Sequence, residues 1–288
     1  MEPLDQANPE RAINSGRGVD TPDRSLPPAL SVVIPAYNEA DRLPATLDAV
    51  LAFLESRDYS WEIIVADDGS DDATPTIAAA VSRTPTVHHL RLPHRGKAAA
   101  VRDGVLAASG EVVVFTDADL STPIDYVDRV RELMAAGADL VIGTREGSGA
   151  RRLGEPAYRH LMGRVYNYVV QLLAVRGISD TQCGFKGFRR QVARDLFTSS
   201  RLYREADGPV RGPLVTGFDV ELLFLAQKRR YRLVELPVTW HHVPGSKVRP
   251  GLDALLMLRD ALRVRVNDLL GRYPAEARAD TSCVRRGI

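Results

Sequence analysis

Between residues 30 and 145, short runs of apolar, often β-branched residues alternate with segments whose apolar residues recur at helical spacing. The apolar runs predict strands at Leu30–Ile34, Glu62–Ala66, Val87–Leu92, Glu111–Asp119 and Asp139–Ile142. Strands that alternate with helices form βαβ units, whose neighbouring strands run parallel. The pattern therefore predicts an α/β fold with a mostly parallel sheet flanked by helices.

Helical spacing of apolar residues also continues into the second half of the chain. The predicted helices are Ala40–Ser56, Thr74–Ser82, Gly96–Ala108, Tyr126–Ala136, Tyr158–Val175, Phe218–Lys228 and Gly251–Leu270. One more strand is predicted at Tyr231–Val238. Pro35 has no N–H to donate to a sheet, so the first strand is expected to stop before it. The segment Trp240–Gly251, WHHVPGSKVRPG, is expected to be a loop.

One large domain is expected over residues 30–250. Residues 1–29 hold five prolines and lack a periodic apolar pattern, which is typical of a disordered arm. Residues 251–271 predict a C-terminal amphipathic helix, and residues 272–288 a polar tail.

The charges are balanced, with 38 basic and 37 acidic residues and a net charge of +1. This balance argues against a broad nucleic-acid surface, so no nucleic-acid partner is expected. The N-terminal segment lacks the apolar stretch of a secretory signal, and no apolar run reaches the ~18–20 residues of a spanning helix. We therefore expect a cytoplasmic protein, bound peripherally to the cytoplasmic face of a membrane if it meets one.

Two acidic turns follow predicted strands, where parallel sheets place their ligands. Asp117 and Asp119 are two residues apart, and in an extended chain such residues point to the same side. A divalent cation would relieve the repulsion between them, and carboxylate oxygens suit Mg²⁺ or Mn²⁺. A solvated turn is the alternative. Asp67 and Asp68 fit either nucleotide recognition or simple turn chemistry.

Other common nucleotide-binding and catalytic motifs are absent from the sequence. Gly96-Lys97 lacks the upstream glycine of a phosphate-binding P-loop, and no GxGxxG follows the first strand. Of the six histidines, the adjacent pair His241 and His242 is the candidate to complete a metal shell.

Four strings in order, IPAYNE, ADDGSDD, RGKAAAVRDG and TDADLSTP, resemble family 2 glycosyltransferases of GT-A fold. Three downstream strings, SDTQCGFKGF, FDVELLFLAQ and PVTWHHVPGSKV, are similar to those of the polyprenyl-phosphate sugar synthases. They look most like those of the dolichyl-phosphate β-glucosyltransferases. The resemblance implies a GT-A, Rossmann-like domain over nearly all of the predicted ordered chain.

The resemblance also implies roles for individual residues. The nucleotide-sugar-binding residues would be Pro35, Tyr37, Glu39, Asp68, Lys97 and Asp117. Asp119, with Asp117 beside it, would hold the metal. The residues that bind the acceptor or its phosphate would be Arg145, Asp180, Gln182, Ser246 and Lys247. The catalytic group would comprise Asp117, Asp119, Arg145, Gln182 and Lys247. Two positions depart from common relatives: Ser121 replaces a glutamine of mannosyl enzymes, and His94 replaces an asparagine.

The implied reaction moves a hexose from a nucleotide diphosphate sugar to a polyprenyl or dolichyl phosphate with inversion, assisted by Mg²⁺ or Mn²⁺. UDP-glucose is the favoured donor. The acceptor phosphate is already ionised, so no general base is expected. Three alternatives remain: a GDP-mannose-dependent mannosyltransferase, a family 2 transferase with a soluble acceptor, and a non-catalytic sugar-nucleotide-binding subunit.

A lipid acceptor implies contact with a membrane surface or with a separate membrane protein. In the final predicted helix, one narrow face carries Leu255, Leu258, Leu262, Val266 and Leu269, with arginines close to it. Such a face can lie among lipid headgroups. It can equally pack on the sheet as an ordinary amphipathic helix does.

Overall fold

The computed structural model describes residues 26–202, 217–243 and 252–274. Within these residues the chain forms nine strands and eight helices. The strands are β1 Leu30–Ala36, β2 Trp61–Asp67, β3 Val87–Arg91, β4 Val112–Phe115, β5 Leu140–Thr144, β6 Arg151–Leu153, β7 Lys186–Arg189, β8 Leu233–Pro237 and β9 Thr239–His241. The helices are α1 Leu43–Glu55, α2 Thr74–Val81, α3 Lys97–Ala107, α4 Tyr126–Ala135, α5 Ala157–Leu173, α6 Arg190–Ser199, α7 Phe218–Lys228 and α8 Leu252–Leu269.

Seven strands form one sheet in the order β3-β2-β1-β4-β7-β5-β8. Every neighbouring pair in it is parallel except those made by β7, which runs antiparallel to both β4 and β5. The mostly parallel sheet predicted from the sequence is confirmed. The direction of β7 brings the chain that precedes it, rather than the chain that follows it, to the carboxyl ends of β4 and β5.

Helices cover both faces of this sheet. Val33 and Ile64 face a core shared with α3, α5, α6, α7 and α8. Val32 and Ile63, one residue earlier on the same strands, face a second core shared with α1, α2 and α4. This alternation is the period-two geometry of strands buried on both faces. Within the described residues, no helix is long and apolar enough to cross a membrane.

The amino ends of the strands are held together by a buried carboxylate. Glu62 accepts hydrogen bonds from the Ser31 hydroxyl at 2.5 Å and from the Ser109 N–H at 2.7 Å. The Ser31 hydroxyl also accepts from the Gly110 N–H at 2.8 Å. Satisfying these polar groups inside the protein fixes the register of β1, β2 and the start of β4 at the edge away from the acidic turns.

The first strand continues through Pro35, so the expectation that this proline ends it is wrong. Pro35 pairs with Ala66 of β2, whereas pairing with β4 stops at Val33. The Val33 carbonyl accepts from Thr116, and Pro35, two residues on, faces the same side beyond the end of β4. The missing proline N–H therefore costs no ladder hydrogen bond.

Two further elements differ from the sequence expectations. β9 occupies Thr239–His241, which overlaps the start of the predicted loop Trp240–Gly251, and pairs in parallel with β6. Helix α6, Arg190–Ser199, was not predicted, although Val192, Leu196 and Phe197 carry its buried face at helical spacing.

The predicted domain limits remain predictions, because much of both ends lies outside the described residues. Residues 1–25 of the predicted arm and 275–288 of the predicted tail are in that part. At the end of the arm, the Pro28 carbonyl accepts from Glu111 and the Ala29 N–H donates to Ser60. These last residues of the arm therefore join the edge of the sheet.

We predict that Gly104→Ala lowers the free energy of unfolding by up to about 2 kcal/mol. A Cβ at Gly104 would lie 2.6 Å from Val33 Cγ1 and 3.1 Å from Ala66 Cβ, where α3 crosses the sheet. Overpacking of about 1–3 kcal/mol outweighs the helix propensity gained, about 1 kcal/mol. Gly163→Ala in α5 is the control, because its Cβ meets nothing within 4 Å. Urea denaturation of the control should show equal or higher stability, and destabilisation by both variants would contradict the packing argument.

Candidate active site

The acidic turns lie at the carboxyl edge of the sheet, where β1, β2, β4 and β5 end. The first turn of α3 and the segment 178–185, which leads into β7, reach the same edge. The site is therefore built from loops on a rigid sheet, which is the usual ligand position in open α/β folds. The predicted residues Pro35, Tyr37, Asp68, Lys97, Asp117 and Asp119 all lie on these strand ends and loops.

Asp68 is buried and organises the loop that leads into α3. Its carboxylate accepts from the Arg95 and Gly96 N–H groups, each at 2.8 Å, and lies 2.8 Å from His94 Nδ1. Gly96 takes a positive φ of 90° immediately before the helix, a conformation that favours glycine. Asp68 thereby fixes where α3 begins and where Lys97, its first residue, stands.

Tyr37 and His94 form a stacked aromatic pair beside this carboxylate. Their ring centroids are 4.0 Å apart with an interplanar angle of 5°. Partial burial raises the pKa of Tyr37, and the charges of Asp71 and Asp68 raise it further. Glu39, also predicted to bind the nucleotide sugar, donates its N–H to Thr74 and holds Arg42 at 3.0 Å.

Asp117 and Asp119 lie in a turn, so the expectation that they extend β4 is wrong. The strand ends at Phe115, and the Leu120 N–H donates to the Asp117 carbonyl at 3.1 Å. Leu120 takes a positive φ of 45°, and the Ser121 N–H donates to Asp119 Oδ1 at 2.9 Å. The turn takes the chain off the sheet at the point where β1 and β4 cease to pair.

Carboxylates crowd this turn and are partly neutralised by Lys97, whose Nζ lies 2.5 Å from Asp117 Oδ1. Burial raises the pKa of Asp119, and the neighbouring Asp117 raises it further. Burial alone would lower the pKa of Lys97, but the negative charges of Asp117, Asp219 and Asp119 together raise it. A divalent cation at Asp119 would offset the same repulsion.

The donor set suits a cation that takes most of its ligands from a substrate. The described residues contain no cluster of three or more His, Cys, Asp or Glu side chains able to hold a metal. Mg²⁺ is commonly bound through one or two carboxylates together with substrate phosphates and water. Asp119 with Asp117 matches that limited set, whereas the described residues do not form a closed structural metal site.

Gly184, in the string QCGFK, makes room for the Asp117 carboxylate. A Cβ at this position would lie 2.0 Å from Asp117 Oδ2, a separation that no real structure tolerates. The backbone of the segment before β7 therefore packs directly against the Asp117 carboxylate of the turn after β4. Sequence analysis singled out this string but not the contact that requires its glycine.

Arg145 and Asp180 form a buried two-pronged ion pair. Arg145 Nε lies 2.6 Å from Asp180 Oδ2, and its terminal nitrogen lies 2.9 Å from Oδ1. The Arg145 N–H also donates to Asp180. Burial alone would raise the pKa of Asp180, but Arg145 outweighs it and holds the pKa below its usual range. The pair joins the end of β5 to the segment before β7.

Gln182 is tied to this pair and to helix α8. Its N–H donates to Asp180 Oδ1 at 3.1 Å, and its side-chain amide lies 3.5 Å from Met257 Sδ. Ser246 and Lys247, the two remaining predicted acceptor-side residues, lie outside the described residues. His241, in β9, donates its N–H to Ser121, which anchors the strand beside the acidic turn.

Sequence analysis missed a second buried ion pair at this edge. Lys186 is fully buried in β7, and its Nζ lies 2.7 Å from Asp219 Oδ1 and 2.6 Å from the Cys183 carbonyl. Asp219, in the first turn of α7, also contributes to the raised pKa of Lys97. A lysine inside a strand that is otherwise buried was the available signal, because lysine is almost never fully buried without a partner.

Two buried hydroxyl groups near this pair have no hydrogen-bond partner among the described residues, those of Tyr166 and Thr181. Burial raises the pKa of Tyr166 well above its usual range, and the charges of Asp219 and Asp260 raise it further, so the hydroxyl stays protonated. One of these hydroxyl groups lies on α5 and the other in the 178–182 segment.

The sequence that forms most of this site matches a described family. The family model for glycosyl transferase family 2 matches residues 31–197. The chain belongs to this family. Its match spans the Asp68 loop, the Asp117–Asp119 turn, Arg145 and the Asp180–Gly184 segment, so the family's model covers most of the geometry described above.

This family 2 glycosyltransferase is similar to named relatives over most of its length. It is 37% identical over 260 residues to the dolichyl-phosphate beta-glucosyltransferase of Drosophila melanogaster, covering 85% of this chain and 76% of the relative. The Dictyostelium discoideum protein of the same name is 35% identical, covering 84% and 75%. The Homo sapiens protein of that name is 33% identical over 273 residues, covering 89% and 80%.

Solved structures of glucosyl-3-phosphoglycerate synthase from Mycobacterium tuberculosis share the fold of this family 2 glycosyltransferase. The complex with Mn²⁺ and uridine-diphosphate-glucose has a TM-score of 0.57 at 20% identity, covering 86% of this chain and 80% of that chain. The complex with Mn²⁺, uridine-diphosphate-glucose and phosphoglyceric acid has a TM-score of 0.55 at 22% identity, covering 86% and 81%. The expected GT-A-like architecture is confirmed.

We predict that Asp180→Asn lowers the free energy of unfolding by about 3–5 kcal/mol at pH 7, because it strands a buried guanidinium. The folded pKa of Asp180 lies below the unfolded value of about 3.9. The stabilisation of the fold by the Arg145–Asp180 ion pair is therefore fully present above about pH 4 and is lost as the pH falls below that value.

Urea denaturation of both proteins between pH 3 and pH 7 measures this effect. The stability difference between wild type and Asp180→Asn should shrink toward the acid end of the series. A constant difference across the series would show that the Asp180 carboxylate charge does not stabilise the fold.

Proposed function

We propose that this protein transfers a hexose, glucose in the first place, from a nucleotide diphosphate sugar to the phosphate of a polyprenyl or dolichyl lipid. UDP-glucose is the proposed donor. The observation that carries the proposal is the 33–37% identity to dolichyl-phosphate beta-glucosyltransferases over most of the chain. Those proposed site residues that the structure describes lie at or beside the carboxyl edge of the sheet.

The donor diphosphate is proposed to lie between the acidic turn and the start of α3. Mg²⁺ or Mn²⁺ would be held by Asp119, with Asp117 beside it, and the mycobacterial relatives of this fold contain Mn²⁺ with a UDP-sugar. When bound, the cation supplies positive charge to the leaving diphosphate. The uridine is proposed to meet Pro35, Tyr37, Glu39 and the Asp68 loop.

Basic side chains of the protein are also proposed to stabilise the donor diphosphate. Lys97 is held by Asp117 at the N-terminus of α3, where the helix dipole also favours an anion. Arg145 keeps its position through Asp180, and its remaining donors are proposed to meet the acceptor phosphate. Lys247 and Ser246, outside the described residues, are proposed to close over the phosphates. Groups fixed in this way stabilise the charge that develops on the diphosphate without having to reorganise.

The acceptor is proposed to be a lipid phosphate, which carries negative charge at neutral pH. Its oxygen attacks the anomeric carbon directly, the bond to the diphosphate breaks, and the configuration inverts. No proton has to be removed from such an oxygen, so the mechanism needs no general base. Asp180 and Gln182 are proposed to shape the acceptor side, next to the unpartnered hydroxyls of Tyr166 and Thr181.

A transfer assay tests this proposal. With Mg²⁺ and a short polyprenyl phosphate, we expect label from UDP-glucose to enter the organic phase, and label from GDP-mannose to stay in water. Transfer from GDP-mannose alone would contradict the donor assignment. Cation-dependent release of UDP with a water-soluble acceptor only would contradict the lipid phosphate. UDP binding with no transfer to any acceptor would make the chain a non-catalytic subunit.

We predict that Asp119→Asn lowers transfer at least about 100-fold, the scale of losing one charge-stabilising contact. Its thermal stability without divalent cation should equal or exceed that of wild type, because the repulsion with Asp117 is removed. Asp48→Asn, on the exposed face of α1, is the control and should change neither quantity. Full turnover by Asp119→Asn would refute the metal assignment.

We also predict that Gly184→Ala lowers transfer at least about tenfold, because its Cβ must displace the Asp117 carboxylate. The loss should appear in kcat at saturating UDP-glucose. Gly163→Ala adds the same methyl group where nothing lies within 4 Å and should retain wild-type kcat. An unchanged kcat in Gly184→Ala would mean that the placement of Asp117 does not matter to the reaction.

A further inference from the structure

The exposed apolar side chains of this protein are concentrated on two neighbouring helices. Of the thirteen large hydrophobic residues that are exposed among the described residues, eleven lie on α5, on α8 or in the turn that follows α8. The two exceptions are Leu26 and Leu153. Scattered single exposures are ordinary for a soluble protein, but a concentration on packed neighbours marks an interaction surface.

Each helix contributes a continuous stripe. On α5 the stripe comprises Tyr158, Leu161, Met162, Val165, Tyr168 and Leu172. These positions recur every three or four residues and so share one side of the helix. The opposite side of α5 is buried through Tyr166 and Val170. The helix is therefore anchored by one face and leaves a fully apolar face outward.

The stripe on α8 faces outward as well. It comprises Leu255, Leu262, Val266 and Leu269, continued by Leu270. The side that packs on the protein is a different one, formed by Met257, Ala261 and Val264. The alternative in which the leucine stripe packs on the sheet is therefore wrong. Helices α5 and α8 contact each other, so the two stripes belong to one region, named here the apolar face.

The exposed charged side chains that border the apolar face are arginines. Arg259 and Arg263 lie along one edge of the α8 stripe and Arg265 along the other, all exposed. The described acidic side chains of α8 offset part of this charge. Asp260 is buried, accepts from the Gly217 N–H and lies 3.4 Å from Arg259, and Asp268 pairs with Lys228 and lies 3.5 Å from Arg265. Helix α5 contains no acidic residue and carries an exposed Arg164.

We infer that the apolar face docks on the surface of an anionic lipid bilayer. Apolar side chains would enter the boundary between headgroups and acyl chains, and the arginines would meet lipid phosphates. Tyr158 and Tyr168 suit this boundary because each has an apolar ring and a polar end. A second copy of the chain fits less well, since a symmetric contact brings equivalent arginine edges together.

The apolar face also adjoins the proposed acceptor side. From α5, the Asn167 amide donates to the Ile178 and Ser179 carbonyls at 3.1 and 2.8 Å. From α8, Met257 meets the Gln182 amide. Both helices thus hold the segment that carries Asp180. A protein docked through this face presents that segment near the membrane, where a lipid phosphate resides.

Vesicle flotation with the full-length protein tests the inference. Wild type should float with vesicles of phosphatidylcholine and phosphatidylglycerol, and less with phosphatidylcholine alone. Val165→Asp combined with Leu172→Asp should weaken binding at least about tenfold, because two apolar side chains lose their burial. Leu262→Asp tests α8 separately. Leu26→Asp, the same change at an exposed leucine elsewhere, is the control and should bind as wild type does.

The arginine edge has its own test. Arg259→Ala combined with Arg263→Ala should weaken binding to anionic vesicles by about fivefold for each arginine, and leave binding to neutral vesicles unchanged. An equal loss on both vesicle types, or none, would overturn the electrostatic part of the inference. Circular dichroism and thermal melting should show wild-type folding for every variant, since all the substituted positions are exposed.

Binding is measured without sugar transfer, so this inference and the proposed function can fail separately. No flotation of wild type would overturn the inference even if transfer to a detergent-dissolved lipid phosphate succeeds. Flotation of wild type without hexose transfer would support the docking surface and refute the proposed reaction. A dimer in light scattering that the Val165 and Leu172 variant dissolves, with no flotation, would assign the apolar face to a second copy of the chain.

Discussion

One antiparallel strand determines where the chemistry of this protein can occur. β7 is inserted between β4 and β5 and runs against both, so the segment before it arrives at the carboxyl edge of the sheet. That direction places Gly184 against Asp117 and lets Asp180 reach Arg145. With β7 parallel, the same residues would lie at the opposite edge, and the acidic turn would have no acceptor-side wall.

The site is held in place by charges that the protein itself has buried. Asp68 fixes the approach to α3, Arg145 is held by Asp180, and Lys186 by Asp219. Each pair carries a desolvation cost, which is repaid only with good geometry and additional hydrogen bonds. The benefit is a set of donors and charges whose positions are settled before substrate arrives, which is the arrangement that favours electrostatic stabilisation of a developing charge.

The sequence was informative about the first half of this site and less so about the second. The alternation of apolar runs and helical segments correctly predicted the order of the strands and helices up to β5, although not the ends of β1 and β4, because each element is defined by local periodicity. Local periodicity does not predict the direction of a strand in the sheet or the contacts between residues distant in the chain. The antiparallel course of β7, the ion pair of Lys186 with Asp219, and the need for Gly184 all depend on residues far apart in the chain. β9 is three residues long and is made only by pairing with β6.

The two ends of the sheet divide stability from chemistry. Glu62, with the two serines and the glycine N–H that it organises, secures β1, β2 and β4 at the edge away from the site. Loops at the other edge can therefore diverge while the register of the strands stays fixed. Substitutions in the site loops can therefore change the preference for a sugar or an acceptor without weakening the fold. The glycine and serine residues at the amino edge maintain the strand register, although they lie away from the proposed substrate site.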